Sequence, residues 1–441
     1  MSEALLKVRE FRSVRGEPAL ERDLDRLNEA SRRPSPNNGS AYLQAFLDHD
    51  EFAEPGQRIL LLGAHEEDRL VGFVALRRTP VRVMKLVEDK IEFLVTHEND
   101  RPCLAARPAD ELRCARAFYR HLLTAQRGWR VLDLVNLVDD SPLLLPVRER
   151  IAGLRTRLLD GEPTAILPVR RHADFESWYR SLAGRPRQNI ARHVRRMLAA
   201  GRVELVTGRD PRARDPLLEL YLDVERRSWK EQSRLGWHPA RVAKRKALNA
   251  PGQPLALWYQ VLLLDGVPVA ATICGDYPGA SYGRETCYDE ACLALGPGHL
   301  LHLLMVREVF ARRPPELNLL GGFARYKTTL GAELVTTRRL QLFRLGSMHW
   351  LKSYLGDLRR RLTGERPSLA PVRSRASAPG AGATPAPASP GALPSRDAER
   401  ALAARVLNSL AAEGIPVERL AGEALLAALP VRRSDGERTS A

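Results

Sequence analysis

Apolar positions along this chain fall into two stretches with the same rhythm. Residues 58–64 and 69–76 are apolar runs on either side of a charged turn, which predicts a β-hairpin. A third strand is predicted at 90–96, a helix at 109–125 and a buried strand at 131–137. The second stretch begins with the apolar run 257–264, which ends in Asp265-Gly266. That dipeptide tolerates two positive φ angles in succession and marks a type I′ turn, so 267–274 returns as the partner strand. A third strand follows at 280–288, then the turn Gly296-Pro297-Gly298. A helix opens at about His299, with Leu300, Leu303, Leu304, Val306, Val309 and Phe310 on its inner side. Pro314-Pro315 stops that helix, and 317–320 reads as a short buried strand. Gly321-Gly322 is a bend and 338–345 a last strand.

The two stretches differ at one point. HENDRPCLAARPADEL, before the first predicted helix, has no glycine, whereas the second helix is preceded by Gly-Pro-Gly. Two glycines let the backbone aim its N–H groups at one point and let a ligand approach closely. The first-turn N–H groups of the helix lack intrahelical partners and sit at the positive end of its dipole, where phosphate is stabilised. The same turn also serves as an ordinary strand-to-helix connection, so its surroundings decide.

Composition narrows the class. The 441 residues, 44% of them hydrophobic, suffice for two to three globular domains. No apolar run reaches the roughly 18–20 residues needed to span a bilayer. MSEALLKVREFRSVRG has no secretory apolar core, and the expected location is cytoplasmic. Cys103, Cys114, Cys274, Cys287 and Cys292 have no metal-ligand spacing and suit a reducing compartment; no metal is expected. Cys287 and Cys292 lie beside the candidate site and are read as small core residues before reactive thiols. Beyond residue 359 the chain turns rich in Pro, Ala, Ser and Gly, the composition of a disordered linker. Two short helical patterns follow, ERALAARVLNSLAAEG and ERLAGEALLAAL, which predict a helical hairpin.

The net charge of +16 is densest in RSLAGRPRQNIARHVRRMLAAGR, with Arg185, Arg187, Arg192, Arg195, Arg196 and Arg202. This segment suits the phosphate end of a coenzyme, an anionic lipid surface, a nucleotide-sugar diphosphate or RNA. It is equally a solvated amphipathic helix, since Ile190, Val194, Met197 and Leu198 give it an ordinary buried face. Few aromatics interleave the basic residues and no RNA-binding motif is present, so no nucleic-acid partner is expected.

Four segments, LAGRPRQNIARHVRRM, LLLDGVPVAATICG, LGPGHLLHLL and LGGFARYKTTLGA, together resemble the GNAT acyltransferase superfamily. More narrowly they resemble its CelD/BcsL-type (cellulose biosynthesis, BioF2-like) members, relatives of the FemAB aminoacyl transferases. The resemblance implies an α/β fold of tandem duplicated GNAT-like domains, with mixed sheets and flanking helices. It divides the chain into a degenerate GNAT-like domain (1–165), an acyltransferase domain (166–358), the linker (359–397) and a short helical tail (398–441). It implies acetyl-CoA or another acyl-CoA as co-substrate, its pyrophosphate at Leu295, Gly296, Gly298, His299 and Leu300. The first domain is expected to shape the cleft for a small-molecule or glycan acceptor. Contact with an anionic membrane surface or a biosynthetic complex is a further expectation.

Acyl transfer needs orientation, a proton acceptor and donors for the developing oxyanion. Glu285, or a water it holds, is the first choice of base among Glu285, Asp289, Tyr288 and His299, and Tyr288 can also protonate the departing thiolate. In FemAB-like relatives a lysine follows an aromatic shortly after glycine. GGFARYKTTLG reproduces this, which points to Lys327 as an oxyanion or acceptor contact with Tyr326 beside it. Asn318 stands where many relatives carry an acid. Trp229, Trp237, Tyr221 and Arg187 are candidate walls of an acceptor pocket. The expected reaction is N- or O-acylation, chiefly acetylation, of a sugar, amino sugar or related metabolite in envelope or exopolysaccharide biosynthesis. The alternatives are tRNA-dependent aminoacyl transfer and a non-catalytic scaffold.

Overall fold

Two antiparallel meanders, each continued by a crossover helix into a parallel strand, organise the molecule. The computed structural model describes residues 6–50, 53–83, 85–95, 101–231, 233, 237–322, 324–363, 396–421 and 424–425. The first half runs through β1 (Lys7–Phe11), α1 (Pro18–Glu29), α2 (Ser40–Asp48), β2 (Arg58–Glu66), β3 (Arg69–Val83) and β4 (Leu86–Phe93). After the short β5 (Ala105–Ala106), α3 (Glu111–Thr124) crosses to β6 (Trp129–Leu137), and α4 (Leu145–Arg148) leads to β7 (Leu154–Asp160). The second half begins with β8 (Thr164–Leu167), α5 (Phe175–Ser181), α6 (Gly184–Ala200), β9 (Val203–Gly208), α7 (Pro211–Arg226) and α8 (Pro239–Asn249). Its meander is β10 (Ala256–Leu264), β11 (Val267–Tyr277) and β12 (Ala280–Tyr288), from which α9 (Pro297–Arg312) crosses to β13 (Glu316–Gly321). Then come α10 (Arg325–Thr329), β14 (Glu333–Val335), β15 (Arg338–Arg344), α11 (Met348–Thr363), α12 (Asp397–Ala412) and β16 (Val417–Ala421).

The halves repeat one plan. β2-β3-β4 and β10-β11-β12 are antiparallel, and β4–β6 and β12–β13 are parallel pairs bridged by α3 and α9. A parallel return needs such a crossover, so the helix after each third strand follows from the pairing. Asp265 and Gly266 have φ of 51° and 80°, the type I′ turn expected from that dipeptide. The chain is thus α/β, with two mixed sheets and flanking helices.

The strand at Arg338–Arg344 does not close the second sheet. The first sheet has the order β1-β2-β3-β4-β6-β15-β7 and the second β14-β8-β13-β12-β11-β10-β9-β16. β15 therefore lies between β6 and β7, and β8 lies between β13 and β14. Hydrophobic periodicity marks a strand without naming its partner, so the sequence does not reveal this pairing. One apolar core joins the halves, with Leu61 and Phe73 from the first sheet and Val206 and Tyr259 from the second.

The tail is also bound into the second half. Ala403, Val406, Leu407 and Leu410 of α12 are buried in the shared core. Gly414, at φ 64°, ends that helix, and residues expected to start a second helix form β16 on the edge of β9. An open strand edge offers a full set of ladder hydrogen bonds, which here outweighs the helix preference of the Glu, Leu and Ala residues. The linker expectation for 359–397 falls largely outside the described residues, although α11 occupies its first positions and α12 begins at Asp397.

Candidate functional site

The site is built where β12 and β13 part. β12 carries a bulge: Ile273 pairs with Glu285 and Cys274 with Gly283, leaving Arg284 as the extra residue. Pairing with β13 is confined to Ala280–Tyr282 opposite Glu316–Asn318. β13 has its own irregularity, with Leu320 at φ 62°, held by the Asn318 side chain accepting from the Leu320 N–H at 2.7 Å. The two parallel strands diverge into a wedge, and their facing edges there are unpaired with each other.

Next to the wedge lies the glycine turn. After β12 a short 3₁₀ segment, Glu290–Leu295, reaches Gly296 in the left-handed conformation, and α9 starts with Pro297 at its first turn. A Cβ at Gly296 would lie 2.2 Å from His193 Nδ1, so nothing larger than glycine fits. At Gly298 it would lie 3.3 Å from the Tyr288 ring. No acid stands in the first turn of α9. The His299 N–H bonds Gly296 O at 3.0 Å, and Leu300 is buried in the core beneath.

The basic helix α6 packs against this turn. Ile190, Val194 and Met197 are buried while Arg192, Arg195 and Arg196 are exposed. His193 stacks on His299 with centroids 4.3 Å apart and planes at 14°. Burial, then the neighbouring His299 and arginines, pushes His193 down to about 4; burial and Arg192 also lower His299. Both imidazoles are thus neutral near pH 7, and the positive charge at the turn is that of the arginines.

Upstream the turn is anchored by Asp289, whose carboxylate is 2% exposed on its side chain. It accepts from the Ala291 N–H at 3.0 Å and pairs with both Arg227 and Arg396. Arg227 also donates to Pro268 O at 2.9 Å, and its own carbonyl accepts from the Glu290 N–H at 3.1 Å. Arg396 comes from the tail, 107 residues away. These partners are too distant in sequence for any spacing argument to unite them, and the sequence alone offers Asp289 only as a base.

Glu285 has a different setting from that expected. Its carboxylate accepts from Arg245 Nε at 3.1 Å and Tyr221 Oη at 3.3 Å, with Lys230 Nζ at 3.7 Å. Arg245 also forks onto Glu225, both bonds 2.9 Å, and Lys230 Nζ donates to Tyr221 Oη at 2.8 Å. Two carboxylates and two cations close a neutral buried set. Burial alone would raise the Glu285 pKa, but Arg245 and Lys230 outweigh it and hold the group far below the usual carboxylate range. A carboxylate so stabilised has little affinity for a proton, which argues against the base role.

Lys327 is buried, and its ammonium donates to Leu320 O at 3.0 Å, Gly321 O at 2.5 Å and Gly322 O at 3.1 Å. Three protons meet three carbonyls at the end of β13. This ties down the strand end. Tyr326 beside it stacks on His302, with centroids 4.3 Å apart. His302 is 8% exposed, its Nε2 has no hydrogen-bond partner among the described residues, and burial pushes it down to about 3. Burial also pushes the Tyr326 phenol up to about 12 and raises that of Tyr288.

Trp229 and Trp237 are 42% and 50% exposed, so neither is a core residue. Trp229 adjoins Ser228 and Lys230 in the segment bonded to the start of the turn. Arg187 instead links α6 to α5 through Arg180 O at 3.1 Å. Tyr221 is fully buried, inside the ion cluster rather than on a pocket wall. All five cysteines are free; Cys287 and Cys292 are buried, and burial raises both thiols. Among the described residues no group of His, Cys, Asp and Glu could hold a metal ion, and no helix is long and apolar enough to cross a membrane.

Residues 184–328 match the model of the acetyltransferase (GNAT) domain. Solved structures similar to this chain include FemX, at 9% identity and TM-score 0.48, covering 73% of this chain and 95% of that one. Another is the C-terminal DUF2156 domain of a proposed lysylphosphatidylglycerol synthetase from Agrobacterium fabrum, at 12% identity and TM-score 0.46, covering 77% and 96%. A third is a tandem GNAT protein from the clavulanic acid biosynthesis pathway, at 14% identity and TM-score 0.42, covering 78% and 99%. No curated protein matches the chain significantly. The matched segment runs from α6 through the turn to α10, so the wedge, the glycine turn and its basic neighbour are the parts of an acetyltransferase domain of GNAT type, and the protein is an acyltransferase.

Proposed function

We propose that the protein transfers an acyl group, chiefly acetyl, from acyl-CoA to an amine or hydroxyl of a sugar, amino sugar or related metabolite in envelope or exopolysaccharide assembly. The substrate class rests on the resemblance to CelD/BcsL-type enzymes. The observation that carries the transfer reading is the β12–β13 wedge opening beside an acid-free helix start with a basic helix against it. The Gly298 N–H at the positive end of α9, with Arg192 nearby, would hold the coenzyme pyrophosphate, since Pro297 has no N–H and that of His299 is bonded to Gly296 O. The separated edges of β12 and β13 supply backbone N–H groups for a carbonyl oxygen that gains charge.

In this reading Glu285 and Lys327 are positioning residues. Glu285 fixes Arg245 and Lys230, and Lys327 fixes the end of β13. Tyr288, packed on Gly298, and Tyr326 stay protonated at neutral pH and are the phenols available to protonate a thiolate. His299, kept neutral by burial, and water are the proton acceptors left for the attacking group. Trp229 and Trp237 offer exposed faces on which a sugar ring can stack.

Calorimetric titration of acetyl-CoA into wild type and Gly298→Glu tests this. Binding to wild type that the variant loses is the expected result. Absence of binding at millimolar acetyl-CoA would overturn it, and turnover with charged tRNA instead would assign the site to aminoacyl transfer.

A further inference from the structure

Helix α11 carries an apolar stripe that no other described residue covers. Its first turn is anchored: Glu88 accepts from the Met348 N–H at 2.6 Å and from Ser347 Oγ at 3.2 Å, with His349 Nδ1 at 2.9 Å. Arg155 covers the Trp350 ring at 4.0 Å. Beyond that turn, Tyr354, Leu355, Leu358 and Leu362 are 51%, 50%, 42% and 79% exposed. With the half-buried Leu351, the leucines recur at intervals of four, three and four, which aligns them along one side of a helix. Leu86 and Val87, directly before the anchoring Glu88, are also exposed, at 54% and 67%. Monomeric proteins rarely leave so much contiguous apolar surface in water.

Charge selects the occupant. Exposed Lys352 and Arg359 lie seven residues apart and flank the leucine stripe, and the helix sequence holds four Lys or Arg against one Asp. Leucine spacing of this kind would also fit a second copy, but that pairing would set these cationic helices side by side. The segment that follows, 364–395, has only Leu369, Val372 and Leu393 as large aliphatic residues, spaced too irregularly for a matching stripe. Leucines on one side, cations beside them and an aromatic pair at the anchored end are the composition of a helix lying in a lipid interface. Trp350 and Tyr354 form that pair, stacked 5.3 Å apart.

We infer that α11, with the exposed start of β4, docks the enzyme on an anionic membrane surface. The inference does not depend on the identity of the acyl acceptor. The full chain is centrifuged with phosphatidylcholine vesicles and with vesicles containing about one third phosphatidylglycerol. Binding is expected only to the anionic vesicles. Because the altered side chains are exposed, Leu355→Glu/Leu358→Glu keeps the wild-type circular dichroism and melting curve, and weakens vesicle binding at least tenfold. Lys352→Glu/Arg359→Glu weakens it similarly and flattens its salt dependence. Failure to bind anionic vesicles, or binding that survives the leucine changes, would overturn the inference. So would a wild-type dimer that those changes dissolve, since the stripe would then belong to a second copy.

Discussion

Helices α3 and α9 occupy equivalent places in the two halves, each crossing from the third strand of a meander to a parallel strand, yet they begin in opposite ways. α3 begins after Arg107-Pro108-Ala109-Asp110, with Glu111 in its first turn and Asp110 paired to Arg113. Its positive end is answered from within the chain. α9 begins after a left-handed glycine, has no first-turn acid, and lies against the arginine-bearing α6. The same scaffold is closed to an anion in one half and open to one in the other. The open end also needs bracing: Asp289 is held by an arginine from the loop after α7 and by another from the tail.

The largest expected effect tests that bracing. Asp289→Ala leaves Arg227 and Arg396 without their shared carboxylate and should destabilise the protein by about 3–5 kcal/mol, measured by urea unfolding. A loss below about 1 kcal/mol would show that the turn stands without the tail. The contrast itself is tested next by giving α9 an acidic start. Gly298→Glu should weaken acetyl-CoA binding about a hundredfold, whereas Glu111→Gln in α3 should leave it unchanged. An effect of equal size in both helices would erase the distinction. For Lys327→Met, three carbonyls lose their donor, and a drop of about 1–3 kcal/mol in stability is expected, with acetyl-CoA affinity largely kept. Lost turnover with unchanged stability would return the lysine to the chemistry.

A pH slope tests the buried imidazole beside Tyr326. The unfolded chain protonates His302 below about 6.5, while the folded site resists until about 3. The unfolded state therefore binds more protons across that window, and stability falls as pH drops, by at most about 1.4 kcal/mol per unit. His302→Phe keeps an aromatic partner for Tyr326 and should remove this part of the slope. A slope identical to wild type would show that His302 is protonated in the folded protein.

Much of this architecture was legible because it is local. The Asp265-Gly266 turn, both meanders and both crossover helices follow from two-residue and four-residue periodicities, and Gly296 reveals its conformation by its identity. What was not legible depends on pairs far apart. Lys327 stands in the expected motif, but only the backbone path through Leu320, Gly321 and Gly322 shows where its ammonium goes. Glu285 alternates correctly along a strand, yet its chemistry is set by Arg245, 40 residues earlier in a helix. The tail misled for the same reason: its composition favours helix, and the free edge of β9 decides otherwise.

The placement of β15 in the first sheet bears on how the protein is made. A ribosome releases the first meander long before residue 344, and until then β6 and β7 have no strand to separate and join them. The nascent first sheet must wait with two open edges, a state prone to wrong pairing. The two halves thus mature together, and a gene cut between β7 and β8 would yield a first fragment that lacks its interior strand β15.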